Sequence, residues 1–206
     1  MYVDLRPAEE IRKFKTELTR FLMMYKFGLD EMSTKIDILK QEFQYVHDYN
    51  PIEHVESRIK SPESILRKVR KKGFELSLSS IRENINDIAG IRIVCSFISD
   101  IYKISEMLEK QKDMRLIECK DYIRNPKPNG YQSLHLIVEV PVFMSDRIEN
   151  VKVEVQIRTI GMDFWASLEH KIYYKCNKEV PEKLRNELKD AAETVRQLDM
   201  KMEQIN

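Results

Sequence analysis

The sequence predicts a mixed β-sheet with helices packed on it, an α/β or α+β domain. Three observations predict it. The stretch "VKVEVQIRT" at 151–159 alternates strictly between apolar and polar residues, the period of a half-buried strand. "GIRIVCSFI" at 90–98 is apolar on both faces apart from Arg92 and Ser96, the pattern of a central strand. Both ends of the chain carry apolar residues at three- and four-residue steps, the spacing of amphipathic helix.

In chain order, the first helical stretch runs from about residue 8 to 48. Its stripe is Ile11, Phe14, Leu18, Phe21, Tyr25, Leu29, Met32, Ile36, Leu39, Phe43 and Val46. Gly28 is a place where it could split in two, and Asn50-Pro51 ends it. Ser61 as N-cap and Pro62 at the first helical position open a short helix that runs to about Lys72, closed by Gly73. After the strand at 90–98 come a helix near 99–110 and a strand near 115–123. Asn129-Gly130 reads as a tight turn, with Leu134–Val138 in the strand leaving it, over about 131–140. The alternating strand 151–159 leads into a helix at 161–175. A last helix after Pro181 has the stripe Leu184, Leu188, Ala191, Val195, Leu198, Met202 and Ile205.

One domain over 1–206 is the expected organisation: N-terminal helices over 1–50, a sheet core over 51–160 and C-terminal helices over 161–206. The helical ends suggest a layer against the domain or against a second subunit, so a homo-oligomer is expected. The formal net charge of +1 gives no global attraction to nucleic acid or membrane, so any electrostatic function must lie in local clustering. No apolar run reaches the roughly 20 residues that cross a bilayer, and nothing reads as a signal peptide. Cys95, Cys119 and Cys176 are far apart without a CxxC, which fits buried thiols in a reducing compartment. A cytoplasmic protein is the expectation.

Polar residues that the periods bring together mark the candidate chemistry. On 151–159 the even positions Lys152, Glu154, Gln156 and Arg158 share one face, either a solvated sheet face or the floor of a cleft. On the preceding strand, Tyr131, Ser133 and His135 face one way. If the two strands are neighbours, the two sets form one patch. Tyr131 beside the turn would present an exposed ring, of the kind on which a base can stack. Asp87, in "NDIAGIR", precedes the most apolar strand, where an unpaired carboxylate is costly. It either caps a local turn or shares a Mg²⁺ with Glu154, since that ion takes one or two carboxylates plus phosphates and water. His47, His54, His135 and His170 are scattered, without the spacing of a transition-metal site.

The strongest local charge is "ESRIKSPESILRKVRKKG" at 56–73. It is either a solvated basic helix face or a polyphosphate site at a helix N-terminus, with Ser64 in the first turn. GxxxxGK[ST] is absent, so it is not a P-loop. Nucleic acid is the rival ligand. Two carboxylates, a cationic cradle and a stacking ring together describe metal-assisted transfer of a phosphoryl-type group between nucleotides.

"DIAGIRI", "DYIRNPKPNGYQSLH", "VEVQIRT" and "DFWASLEHKIYYK", in this order, resemble the synthetase domain of the RelA/SpoT homologues, which make the alarmone (p)ppGpp. "NPIEHVESRIKSPESI" and "CSFISDIY" are similar to the RelP type of small alarmone synthetase. The resemblance covers about residue 20 to the C-terminus. It implies a nucleotidyltransferase-like fold and a GTP pyrophosphokinase that moves the β,γ-diphosphate of ATP to the 3′-hydroxyl of GDP or GTP, leaving AMP. It also implies a homotetramer and, at this length, no hydrolase or regulatory domain.

By the family pattern, Arg58 and Arg92 would sandwich adenine. Lys60, Ser64, Lys68 and Lys71 would hold the ATP phosphates. Asp87 and Glu154 would bind Mg²⁺, with Glu154 or a neighbour helping to deprotonate the 3′-hydroxyl. Tyr131 would stack on guanine, and Lys120 and Lys127 would meet the acceptor's 5′ phosphates. Gln156 and His135 would shape the floor. Asp163 stands where a related member has Asn, and a carboxylate there can accept from guanine N1–H and N2–H₂ together. Two other readings stand beside this one: the same chemistry on another acceptor, such as a tRNA 3′ end or an adenosine nucleotide, and an RNA-binding regulator using the basic stretch.

Overall fold

The structure, a computed structural model, describes residues 6–176 and 180–206. A 41-residue helix, α1 (Arg6–Val46), leads into strand β1 (Ile52–Ile59). Helices α2 (Pro62–Lys72) and α3 (Leu78–Asn84) precede strand β2 (Ala89–Cys95) and helix α4 (Ile98–Glu109). Strands β3 (Arg115–Asp121), β4 (Leu134–Phe143) and β5 (Ile148–Thr159) follow, then helices α5 (Ile160–Lys175) and α6 (Glu182–Ile205). The five strands form one mixed sheet in the order β1-β2-β5-β4-β3, with β2 and β5 parallel and the other pairs antiparallel.

One face of the sheet is the core. Ile91, Ile93, Leu136, Val138, Val153, Val155 and Ile157 are buried there with Tyr25, Leu29, Met32 and Ile36 of α1 and Ile101, Ile104 and Leu108 of α4. The side chains of Ile11 and Phe14 lie outside the described residues. Gly28 does not split α1. It lets the helix press on β5, since a Cβ at this position would fall 2.6 Å from Val151 Cγ1. Among the described residues no helix is long and apolar enough to cross a membrane.

Helix α2 forms as its caps dictate. Ser61 Oγ accepts from Ser64 N at 3.3 Å, and Gly73 takes the left-handed conformation at φ 69°. Ile65 and Val69 anchor its apolar side, leaving the lysines and arginines outward.

Several expectations are corrected. The span 52–59 is an edge strand, hidden in the sequence by its charged and polar residues, and α3 is an additional short helix. The inner strand near 90–98 ends at Cys95, and the centre of the sheet is β5. Asn129-Gly130 closes no two-residue hairpin: a loop over 122–133 separates β3 from β4, and the latter runs from 134 rather than 131. The loop is folded on itself, with Gly130 N donating to Lys127 O at 2.8 Å and Lys127 N to Tyr131 O at 3.1 Å.

The predicted stripe on the last helix is mostly exposed, Leu198 and Ile205 included. The face that meets the domain holds Leu188, Ala192, Val195 and Asp199. Cys95 is buried as expected, but Cys119 on the edge strand is exposed.

Candidate functional site

Register places the polar side chains. Directly paired residues of neighbouring strands project to the same face. Pairing of Glu56 with Arg92, Arg92 with Gln156, Gln156 with His135 and His135 with Lys120 lays these five residues in one row across the whole sheet. The next row but one pairs Arg58 with Gly90 and Gly90 with Glu154. Gly90 carries no side chain, so the floor stays open between Arg58 and Glu154. Both rows lie on the face opposite the core.

Asp87, Arg58, Arg92, Glu154 and Gln156 line one small cavity on this face. It adjoins a cavity of about 540 Å³ lined by Arg58, Lys60, Ser61, Ser64, Lys68, Lys71 and Asp87. Arg58 and Asp87 border both. The basic stretch therefore walls a concavity and is not a flat charged face, which favours a compact phosphate ligand over a nucleic acid backbone. A larger cleft of about 900 Å³ lies apart, between Pro128-Asn129 and helix α6, and holds none of these groups.

Asp87 sits in the turn before β2. Lys60 and Lys68 both pair with it, the latter at 2.8 Å. Burial pushes its pKa up, but the hydrogen bonds and charges of the two lysines outweigh burial and hold the carboxyl below the ordinary value. Glu154 behaves alike. Burial raises it, while hydrogen bonds from His135 (3.2 Å) and Gln156 (2.8 Å) lower it further than burial and the charge of Asp87 raise it.

Two ionised carboxylates on one cavity, beside a second cavity walled by lysines, fit Mg²⁺, which prefers hard oxygen donors and completes its shell with phosphate and water. No group of three or more His, Cys, Asp or Glu side chains converges among the described residues, so a closed all-protein metal cage is not built.

The far side of the polar face is built on the 122–133 loop. Tyr131 is half-buried, not the exposed ring expected, because α5 and α6 cover it: Trp165, Ala166 and Ala192 form a small cluster against which it packs. Its hydroxyl meets His135 Nε2 at 2.7 Å and accepts from Arg158 at 2.6 Å. Burial pushes its pKa up. Lys127 Nζ lies 4.5 Å from the ring centroids of both Tyr131 and Tyr122, and burial lowers its pKa. Asp163 accepts from Arg158 at 3.1 Å and pairs with Arg92 at 3.2 Å. Lys120 pairs with Glu118 on its own strand.

The residues to which the resemblance gives a task thus fall on one face of the sheet and its rim. Arg158 departs most from expectation. Its place on the polar face was legible from period two, yet it is only 5% exposed and hydrogen-bonded on every side. His170 of α5, scattered in the sequence, lines the 540 Å³ cavity. Tyr122 meets both Tyr131 and His135 edge-on. The flanking aromatics of "DYIRNPKPNGY" are the signal that could have found it.

Residues 57–179 match the family described as "Region found in RelA / SpoT proteins". The chain is similar to the GTP pyrophosphokinase YwaC of Bacillus subtilis (strain 168), at 57% identity over 98% of this chain and 96% of that protein. Among solved structures it is similar to small alarmone synthetase 2 from Bacillus subtilis, with a TM-score of 0.84 and 54% identity, covering 92% of this chain and 97% of the other. It is also similar to small alarmone synthetase 1 from Bacillus subtilis bound to its product pppGpp, with a TM-score of 0.86 and 39% identity, covering 92% and 96%.

Proposed function

The chain belongs to the RelA/SpoT family, and from that premise we propose that it is a GTP pyrophosphokinase, a (p)ppGpp synthetase. It transfers the β,γ-diphosphate of ATP to the 3′-hydroxyl of GDP or GTP, giving AMP and ppGpp or pppGpp. The observation that carries this is the pair of adjoining cavities sharing Arg58 and Asp87, with Glu154 on the floor between the donor side and the tyrosine loop.

Each residue then has a physical task. Arg58 and Arg92 hold the adenine between planar cations, and Lys60, Ser64, Lys68 and Lys71 bind the triphosphate beside the positive end of α2. Asp87 and Glu154 hold Mg²⁺, which when bound offsets the charge of the transferring diphosphate. Glu154, oriented by His135 and Gln156, lies where it can accept the proton of the 3′-hydroxyl. Tyr131 stacks on guanine, Lys120 and Lys127 meet the acceptor phosphates, and Asp163 faces the base edge. Asp87 would hold the metal, and Lys60 and Lys68, paired with it in this structure, would be within reach of the phosphates.

The assembly we infer is a homotetramer. Supporting it, Met23, Ile38, Tyr45 and Val46 of α1 and Leu198, Met202 and Ile205 of α6 stand exposed in the single chain. We place the enzyme in the cytoplasm, where its nucleotides are.

Incubation of the pure protein with ATP, Mg²⁺ and GDP or GTP tests the reading. AMP and a 3′-diphosphorylated guanosine should appear in equal amounts by chromatography and mass spectrometry. Transfer to tRNA or to an adenosine nucleotide with none to GDP or GTP overturns the choice of acceptor, and no transfer to any acceptor overturns the activity.

A further inference from the structure

We propose that Arg158 is the positioning residue for Glu154, acting through two hydrogen-bond chains that start at its guanidinium and end on the two oxygens of that carboxylate. The inference rests on the reading of Glu154 as a working carboxylate. It assigns a task to a buried cation that the transfer scheme above leaves unused.

The first chain runs through Gln156. An arginine can only donate, so the Gln156 oxygen must face it; the observed contact is Nη2 to Oε1 at 2.7 Å. That orientation obliges the Gln156 amide nitrogen to point the other way, where it donates to Glu154 Oε2 at 2.8 Å. The second chain runs through Tyr131. Its hydroxyl accepts from Arg158 Nη2 at 2.6 Å, which leaves its own proton for His135 Nε2 at 2.7 Å. A neutral His135 that accepts at Nε2 carries its proton on Nδ1, and Nδ1 lies 3.2 Å from Glu154 Oε1. Arg158, which can only donate, and the Glu154 carboxylate, which can only accept, thus fix the direction of five hydrogen bonds from the two ends, with the guanidinium itself held by Ser133 (3.4 Å) and Asp163 (3.1 Å). Each oxygen of Glu154 accepts one fixed bond and keeps a lone pair for its task.

The arrangement has a spectroscopic signature that exists without nucleotide or metal: the tautomer of His135. Histidine-selective ¹⁵N labelling, with His135→Gln to assign the signal, reads it at a pH where the ring is neutral. In the wild type His135 should be the Nδ1–H tautomer. In Tyr131→Phe and in Arg158→Met it should shift toward Nε2–H, and Arg158→Lys should restore it in part. The double variant Arg158→Met/Tyr131→Phe should look like either single one, since both cut the same chain.

In transfer assays Arg158→Met should lose about 100-fold or more in kcat, with the KM for ATP changed less than about threefold. A wild-type His135 protonated on Nε2, or a tautomer unmoved in Tyr131→Phe, overturns the inference. So does an Arg158→Met enzyme with normal kcat. Should Arg158→Met fail to fold, Tyr131→Phe alone still decides through the tautomer. Failure of the wild type to make a 3′-diphosphorylated guanosine instead strikes the proposed function, and it leaves the tautomer measurement as it stands.

Discussion

Lys68 Nζ donates to Asp87 Oδ1 at 2.8 Å, so a residue expected on the donor phosphates and a residue expected on the metal hold each other. Lys60 reaches the other oxygen of the same carboxylate. The pairing keeps Asp87 ionised and two cations gathered at the mouth of the 540 Å³ cavity. Asp87→Asn keeps the size and removes the charge. It should cut product formation about 100-fold or more and raise the Mg²⁺ concentration needed for half-maximal rate about tenfold or more. The fold should lose about 1 to 3 kcal/mol, because Lys68 can turn to solvent whereas Lys60, only 16% exposed, is left without its carboxylate. A rate curve against Mg²⁺, with Tm measured beside it, checks both halves.

Glu154→Gln separates binding from transfer. The variant keeps the shape of the floor, but its amide cannot take a proton or serve a hard cation as a carboxylate does. The kcat should fall by about 10² to 10⁴, with GDP affinity within about threefold of the wild type. The single tryptophan, Trp165, packs in the cluster that holds Tyr131. Its fluorescence during a GDP titration therefore measures that affinity without any turnover.

How far the site could be read in advance depended on which kind of regularity placed each residue. Glu154 and Gln156 sit on a strand of strict period two, and Ser61-Pro62 and Gly73 punctuate α2, so their faces and ends followed from local rules. The row joining Glu56, Arg92, Gln156, His135 and Lys120 depended on strand order, which no local pattern contains. Strand β1 escaped because Val55 is the one apolar residue between Glu53 and Arg58, a polar Ser57 pairs with the core residue Ile91, and a register shift between Ile52 and His54 interrupts the alternation. Arg158 looked solvated because burial of a charge is decided by its partners. Those partners, Tyr131, Ser133 and Asp163, come from two other segments. The resemblance gave tasks to residues that the structure gathers on one face of the sheet and its rim, and it could not show that Tyr131 is covered by α5 and α6.

Gly28 tests the packing of the long helix independently of the chemistry. Alanine at this position gains helix propensity, about 1 kcal/mol, but its Cβ would fall 2.6 Å from Val151 Cγ1 and 2.7 Å from Val151 Cβ. Overpacking of this kind costs about 1 to 3 kcal/mol. Gly28→Ala should therefore lower Tm by several degrees, while the kcat of the folded enzyme stays within about twofold. A higher Tm would mean that α1 does not press on β5 as described.

Asp199 makes the opposite prediction for stability. It is 7% exposed on α6, and Thr159 Oγ1 donates to its Oδ2 at 2.7 Å. Burial raises its pKa; the Thr159 hydrogen bond lowers it by less. A carboxyl raised in the folded state binds its proton more tightly there than in the unfolded chain. The fold is therefore favoured at low pH, and stability is lost as the pH climbs from the ordinary carboxylate range through the raised folded value. At neutral pH the charge is a liability, and Asp199→Asn removes it while leaving an oxygen to accept from Thr159. The variant should melt about 1 to 4 °C higher at pH 7. The difference should close as the pH falls below about 4, where the wild-type side chain is neutral in both states. Thermal melts of the two proteins across that range give the answer, and a variant less stable than wild type at pH 7 would mean that the Asp199 charge is not the liability described.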